Sequence, residues 1–161
     1  MARTEATLSA CMITQQLDVA NFTWSDEELE AIVNRNALAI ARNIVARLYQ
    51  HGMVAQEAYC IIHDHDTRII HDDATGTDIV EQKAPHFHCL IKFLRDPENS
   101  KVLWGGTLSQ ISLAAGVQEN YVEKPKRGKN AYDNMLAYLV HIKYPEKYQY
   151  DPKDVFSTGA F

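Results

Sequence analysis

Residues 84–93 read APHFHCLIKF, a proline followed by eight strand-favouring residues that include two histidines one position apart. In an extended chain successive side chains point to opposite faces. Phe87, Cys89, Ile91 and Phe93 then form one apolar, core-facing row, and His86, His88 and Leu90 form the other. The two imidazoles stand about two rises of ~3.3 Å apart, within reach of one cation. A half-solvated strand face that carries two polar rings explains the pair equally well, so the surrounding residues have to decide.

The preceding stretch, QEAYCIIHDHD at residues 56–66, holds the continuous apolar run Ala58 to Ile62 expected of a central strand. It ends in His63, Asp64, His65 and Asp66. Neighbouring strands of one sheet would bring this group beside His86 and His88. Partly buried carboxylates and imidazoles need partners, and a divalent ion would supply one. Mixed imidazole and carboxylate ligation suits Mn²⁺, Zn²⁺, Fe²⁺, Co²⁺ or Ni²⁺ better than Mg²⁺, which prefers oxygen. His71, in the acidic turn-rich stretch 66–82, reads as a surface histidine.

Upstream, LSACMITQQL suits a first strand, and residues 24–52 read as one long helix. Ser25 and Glu28 form a capping box, Trp24 can staple onto Leu29, and Gly52 supplies the stop. Leu29, Ile32, Val33, Ile40, Ile44 and Leu48 give the apolar stripe. Downstream, Thr107 and Gln110 start a helix that Gly116 ends. A short strand near Val117 to Val122, a helix from Asn130 to about His141 and an irregular tail follow. The pattern predicts a single α+β domain, with helices packed on a largely antiparallel central sheet.

The chain has 161 residues and a net charge of −5, which disfavours coating of duplex DNA by bulk attraction to phosphate. The average conceals a split: residues 1–91 carry 6 Lys/Arg against 13 Asp/Glu, and residues 92–161 carry 10 against 8. Any polyanion contact belongs in the second half, where Lys124, Lys126, Arg127 and Lys129 cluster in EKPKRGKN. Such a cluster also reads as a solvated loop. Cys11, Cys60 and Cys89 are odd in number and lack CxxC spacing, so they read as core residues in a reducing compartment. No apolar run reaches the roughly 18 residues of a membrane span, and the N-terminus lacks signal-peptide order. A cytoplasmic location without membrane partners is expected.

In NAYDNMLAYLVHIKY the positions Tyr132, Met135, Leu136 and Leu139 form a buried helical stripe. Tyr138 lies off it, about 120° from its centre, on a face shared with Asn134 and His141. A phenol, with its ordinary pKa near 10, is a poor nucleophile unless its electrophile is strongly polarised.

PHFHCLIKF resembles the HUH motif (His, hydrophobic, His) of the HUH endonuclease superfamily. HDHD before it and NMLAYLVH after it resemble, in order and character, the rolling-circle replication initiators of small Gram-positive plasmids; the likeness spans residues 57 to about 155. The resemblance implies metal ligands His63, Asp66, His86 and His88, with His65 as a competitor for His63, and Tyr138 as the catalytic nucleophile. Asn134 or His141 would position or deprotonate the phenol. Mn²⁺ is the expected ion, with Mg²⁺ or another transition metal as alternatives. The implied reaction nicks single-stranded or hairpin origin DNA, leaving a 5′-phosphotyrosyl link and a 3′-hydroxyl. Lys124, Lys126, Arg127 and Lys129 would hold the flanking backbone, and a host helicase and polymerase would follow. Residues 1–161 would form the whole origin-binding and nicking domain, with the family's C-terminal oligomerisation region missing and a homo-oligomer still allowed. Rival readings are an HUH transposase or relaxase, a non-haem metal hydrolase or oxygenase, and a catalytically silent DNA-binding module.

Overall fold

The computed structural model describes residues 6–126 and 128–158. Its centre is a five-stranded antiparallel sheet in the order β6-β1-β5-β2-β7. The strands are β1 (Ala10–Gln16), β2 (Ala55–His63), β5 (His86–Phe93), β6 (Val122–Glu123) and β7 (Phe156–Ser157). Four helices accompany it: α1 (Asp26–Val33), α2 (Ala37–Gln50), α3 (Leu108–Ala115) and α4 (Ala131–Tyr138). The α+β class is as the sequence predicts. Among the described residues no helix is long and apolar enough to cross a membrane.

The alternation read in residues 86–93 organises the whole molecule. Phe87, Cys89, Ile91 and Phe93 join Cys11, Ile13 and Cys60 in the larger core, closed by Ile32, Ile40, Ile44 and Leu48 of α1 and α2 and Ile111 of α3. Leu90, on the histidine face, packs with Met12 and Ile61 in a second core, closed by Tyr132, Met135 and Leu136 from α4, by Leu139 just after it and by Tyr150 from the tail. The sheet is thus the middle of three layers. All three cysteines are buried free thiols.

Four sequence readings need correction. The long helix is two, because Arg35 takes a φ of +50° and Asn36 caps a fresh helix by accepting from the Ala39 amide. The acidic stretch is a β-hairpin, β3 (Thr67–Asp72) with β4 (Thr77–Gln82), joined through Gly76. Its apolar residues, Ile69, Ile70, Ile79 and Val80, stay exposed, so no buried face marks it as sheet. Between Val117 and Val122 the chain forms a 3₁₀ turn before the short β6. Finally α4 stops at Tyr138, three residues before His141, whose φ is +60°.

Both expected capping boxes form, at Ser25/Glu28 and Thr107/Gln110. Glu28 also receives Arg47 at 2.7 and 2.8 Å, tying α1 to α2. Those bonds, with help from the Ser25 amide and against partial burial, lower the Glu28 pKa from 4.5 to about 2. A folded-state pKa below the unfolded value means that the stabilisation is present above about pH 4.5 and lost as pH falls through about 2. Glu28→Gln should therefore cost about 1 kcal/mol at neutral pH. In urea titrations its deficit should vanish in strong acid; a deficit independent of pH would reject the ion pair as its source.

Candidate metal centre and cleft

His63 ends β2 and pairs in register with His86 at the start of β5, while His88 sits opposite Ile61 on one side and Thr14 of β1 on the other. Three residues beyond His63 the chain has turned enough to return Asp66 to the histidines. One ligand atom from each of His63, Asp66, His86 and His88 lies within 4.8 Å of the others. His63 is fully buried and His88 nearly so.

The partners of these rings assign their protons. A carbonyl can only accept, so His63 Nε2 donates to the Leu139 carbonyl at 2.6 Å, and His86 Nδ1 donates to the Ala84 carbonyl at 2.9 Å. The other nitrogens, His63 Nδ1 and His86 Nε2, lie 3.1 and 3.2 Å from the same oxygen, Asp66 Oδ2. Tyr150 donates to the second oxygen, Oδ1, at 2.6 Å, and His88 Nδ1 lies 2.9 Å from the Thr14 hydroxyl. Burial would raise the Asp66 pKa, but the bonds from His63, His86 and Tyr150 outweigh it and hold the carboxyl well below the usual carboxylate range. Burial, then the nearby charges of His63 and His86, pushes His88 well down, which keeps it neutral. Two imidazole nitrogens facing one ionised oxygen need positive charge between them, which either ring protons or a bound cation supplies. A divalent ion meets that need, and the carbonyls behind the rings hold them as metal-bound histidines are usually held. The residues fit the ion.

Tyr138, the last residue of α4, lies next to this group: its ring centroid is 5.6 Å from His88 and 5.1 Å from His141. His141 is buried, gives Nδ1–H to the Tyr148 carbonyl at 2.9 Å, and has no partner for Nε2 among the described residues. It reaches Tyr138 through a turn after the helix, and the helical continuation that the sequence suggests does not form. Asn134 accepts from Lys143. His65 falls outside the ligand cluster, half exposed and stacked on Tyr148 at 4.4 Å, because β2 ends at His63 and the alternation of faces ends with it. His71 is on the hairpin, paired with Asp78.

Asp66, His86, His88, Asn134 and Tyr138 line one cleft of about 710 Å³, together with Lys83, Lys124, Lys126 and Lys129. The basic loop and the histidine face, far apart in sequence, thus share a cavity. Arg127 lies outside the described residues. Sequence reasoning missed Tyr150, Thr14 and Lys83. Tyr150 sits in a tail without periodicity, and only the tertiary fold reveals that its hydroxyl reaches Asp66.

Comparison with known proteins bears on the same residues. A family model described as "Plasmid replication protein, origin binding domain" matches residues 40–161, a span that contains the cluster, the basic loop and Tyr138. The chain is also similar to a "Replication protein" of Onion yellows phytoplasma (strain OY-M), 30% identical over 131 residues. That match covers 80% of this chain and 31% of the relative, so the chain spans about a third of the relative's length. Taken with the site they enclose, these matches show that the chain belongs to the plasmid replication protein origin-binding domain family.

Proposed function

We propose that residues 1–161 form the origin-nicking module of a rolling-circle replication initiator, an HUH endonuclease of the small Gram-positive plasmid type. The observation that supports this most is the shared cleft, in which an off-stripe tyrosine, His86, His88 and Asp66 of the four-residue cluster and a set of lysines face one cavity, with the buried His63 behind them. The substrate is single-stranded or hairpin origin DNA, since in-line attack needs a phosphate drawn out of regular duplex.

A divalent ion at His63, Asp66, His86 and His88, Mn²⁺ by preference and Mg²⁺ or another transition metal otherwise, would polarise a phosphate oxygen. Tyr138 Oη attacks phosphorus; the Oη–P bond forms, the P–O3′ bond breaks, and the 3′ oxygen leaves as a hydroxyl after taking up a proton. His141, whose Nε2 carries a free lone pair once Nδ1 is committed to Tyr148, receives the phenolic proton. The phosphodiester's energy is kept in the tyrosyl link, and the 3′-hydroxyl primes a host polymerase behind a host helicase. The lysines hold the flanking backbone.

Incubating the protein with a labelled hairpin oligonucleotide from a candidate origin tests this reading. A covalent adduct that maps to Tyr138 on digestion is expected in Mn²⁺. No adduct with Mn²⁺, Mg²⁺ or Zn²⁺ would leave a small-molecule metalloenzyme or a silent binding module. Replacing Lys124 and Lys126 by alanine should weaken binding to all single-stranded sequences roughly tenfold and reduce the salt slope by about 1.4. Anisotropy titrations at several salt concentrations measure both, and a loss confined to one sequence would mean that the lysines read bases.

A further inference from the structure

After α4 the chain folds back on itself. His141 turns it at φ +60°, the Tyr150 amide donates to the Val140 carbonyl at 3.3 Å, and the Gln149 side-chain amide is shared among the carbonyls of His141, Tyr144 and Lys147 at 2.9 to 3.0 Å. This closed loop delivers one side chain to the nucleophile. Lys147 Nζ donates to Tyr138 Oη at 3.3 Å and lies 5.0 and 5.1 Å from the ring centroids of Tyr138 and Tyr144. The ammonium is therefore held by two aromatic rings as well as by the hydroxyl.

We propose that Lys147 is a positioning residue for Tyr138, an inference that rests on the nicking reading above. An ammonium has three donors and no acceptor, so in this contact Oη must accept. The phenolic proton is thereby directed elsewhere, and the hydroxyl loses its free rotation. As the oxygen gives up that proton the bond becomes charge-assisted and strengthens. When attack on phosphorus takes the lone pair, the ammonium remains beside the departing negative charge. Lys143, by contrast, is engaged with Asn134. Among the described residues Tyr138 Oη has no other lysine partner.

Two measurements test the assignment. In ion-free protein carrying ¹³Cζ-labelled tyrosine, Lys147→Gln should move the resonance that disappears in Tyr138→Phe, and Lys153→Gln should leave it in place. In single-turnover reactions with saturating hairpin oligonucleotide in Mn²⁺, Lys147→Gln should slow adduct formation 10- to 50-fold with Kd unchanged within twofold. Lys147→Arg should recover most of the rate. An unmoved Tyr138 resonance overturns the proposal, as does a rate loss that disappears once the oligonucleotide is saturating. Absence of adduct even in the wild type, with the resonance shift intact, overturns it from the other side, by removing the nicking reaction itself.

Discussion

His63→Ala is expected to lower stability by about 3–4 kcal/mol and divalent-ion affinity by at least ~100-fold. The ring is fully buried, stacks on Tyr150 at 4.1 Å, and gives its Nε2–H to the Leu139 carbonyl. Alanine would leave a cavity, an unpaired carbonyl just beyond α4, and an Asp66 carboxylate short of one of its three partners. His86→Ala separates the two effects. Its side chain lies nearer solvent, 12% exposed, so the stability cost should be about 1 kcal/mol while ion affinity falls by a similar factor. Urea unfolding in EDTA and calorimetric titration with Mn²⁺ give the two quantities. Equal stability losses, or unchanged Mn²⁺ affinity in both variants, would contradict the assignment of these rings as ligands.

Tyr138→Phe should reduce adduct formation by at least ~10⁴-fold, because the bond to phosphorus has no oxygen to form with. Folding, ion binding and oligonucleotide affinity should stay within about twofold, since the ring remains and the one bond lost is to a surface lysine. Tyr144 lies 5.5 Å from Tyr138 in the same cleft, so mass spectrometry of any residual adduct should examine it first. Undiminished adduct would transfer the nucleophile's role to another residue and end the assignment of Tyr138.

Much of this was legible in the sequence wherever a local rule had a single outcome. The alternation in residues 86–93 assigned Phe87 and His88 to opposite faces, and two separate cores form there. Ser25 with Glu28, and Thr107 with Gln110, began helices as their spacing required. Reading failed where competing local preferences were nearly balanced. Nothing in VNRN dictates that Arg35 adopt a positive φ; the apolar spacing on both sides continues across the break. The β3–β4 hairpin buries neither face, so burial-based pattern carries no signal for it. Within the site, His63, Asp66, His86, His88 and Tyr138 were legible as motifs. Thr14, Tyr150 and the Leu139 carbonyl, which orient them, come from three other segments and meet only in the folded chain.

The hairpin enters the chain between Asp66 and His86 and returns close to its starting point, with the Lys83 amide bonded to the Asp66 carbonyl at 2.8 Å. Its length is consequently uncoupled from the geometry of His63, Asp66, His86 and His88. Lengthening, shortening or replacing these residues should leave those four side chains in place. The eight residues of β5 have no such freedom: inserting one would turn imidazoles into the larger core and phenylalanines into the cleft. Divergence in this family should therefore show as gaps between the two histidine motifs, never within the second.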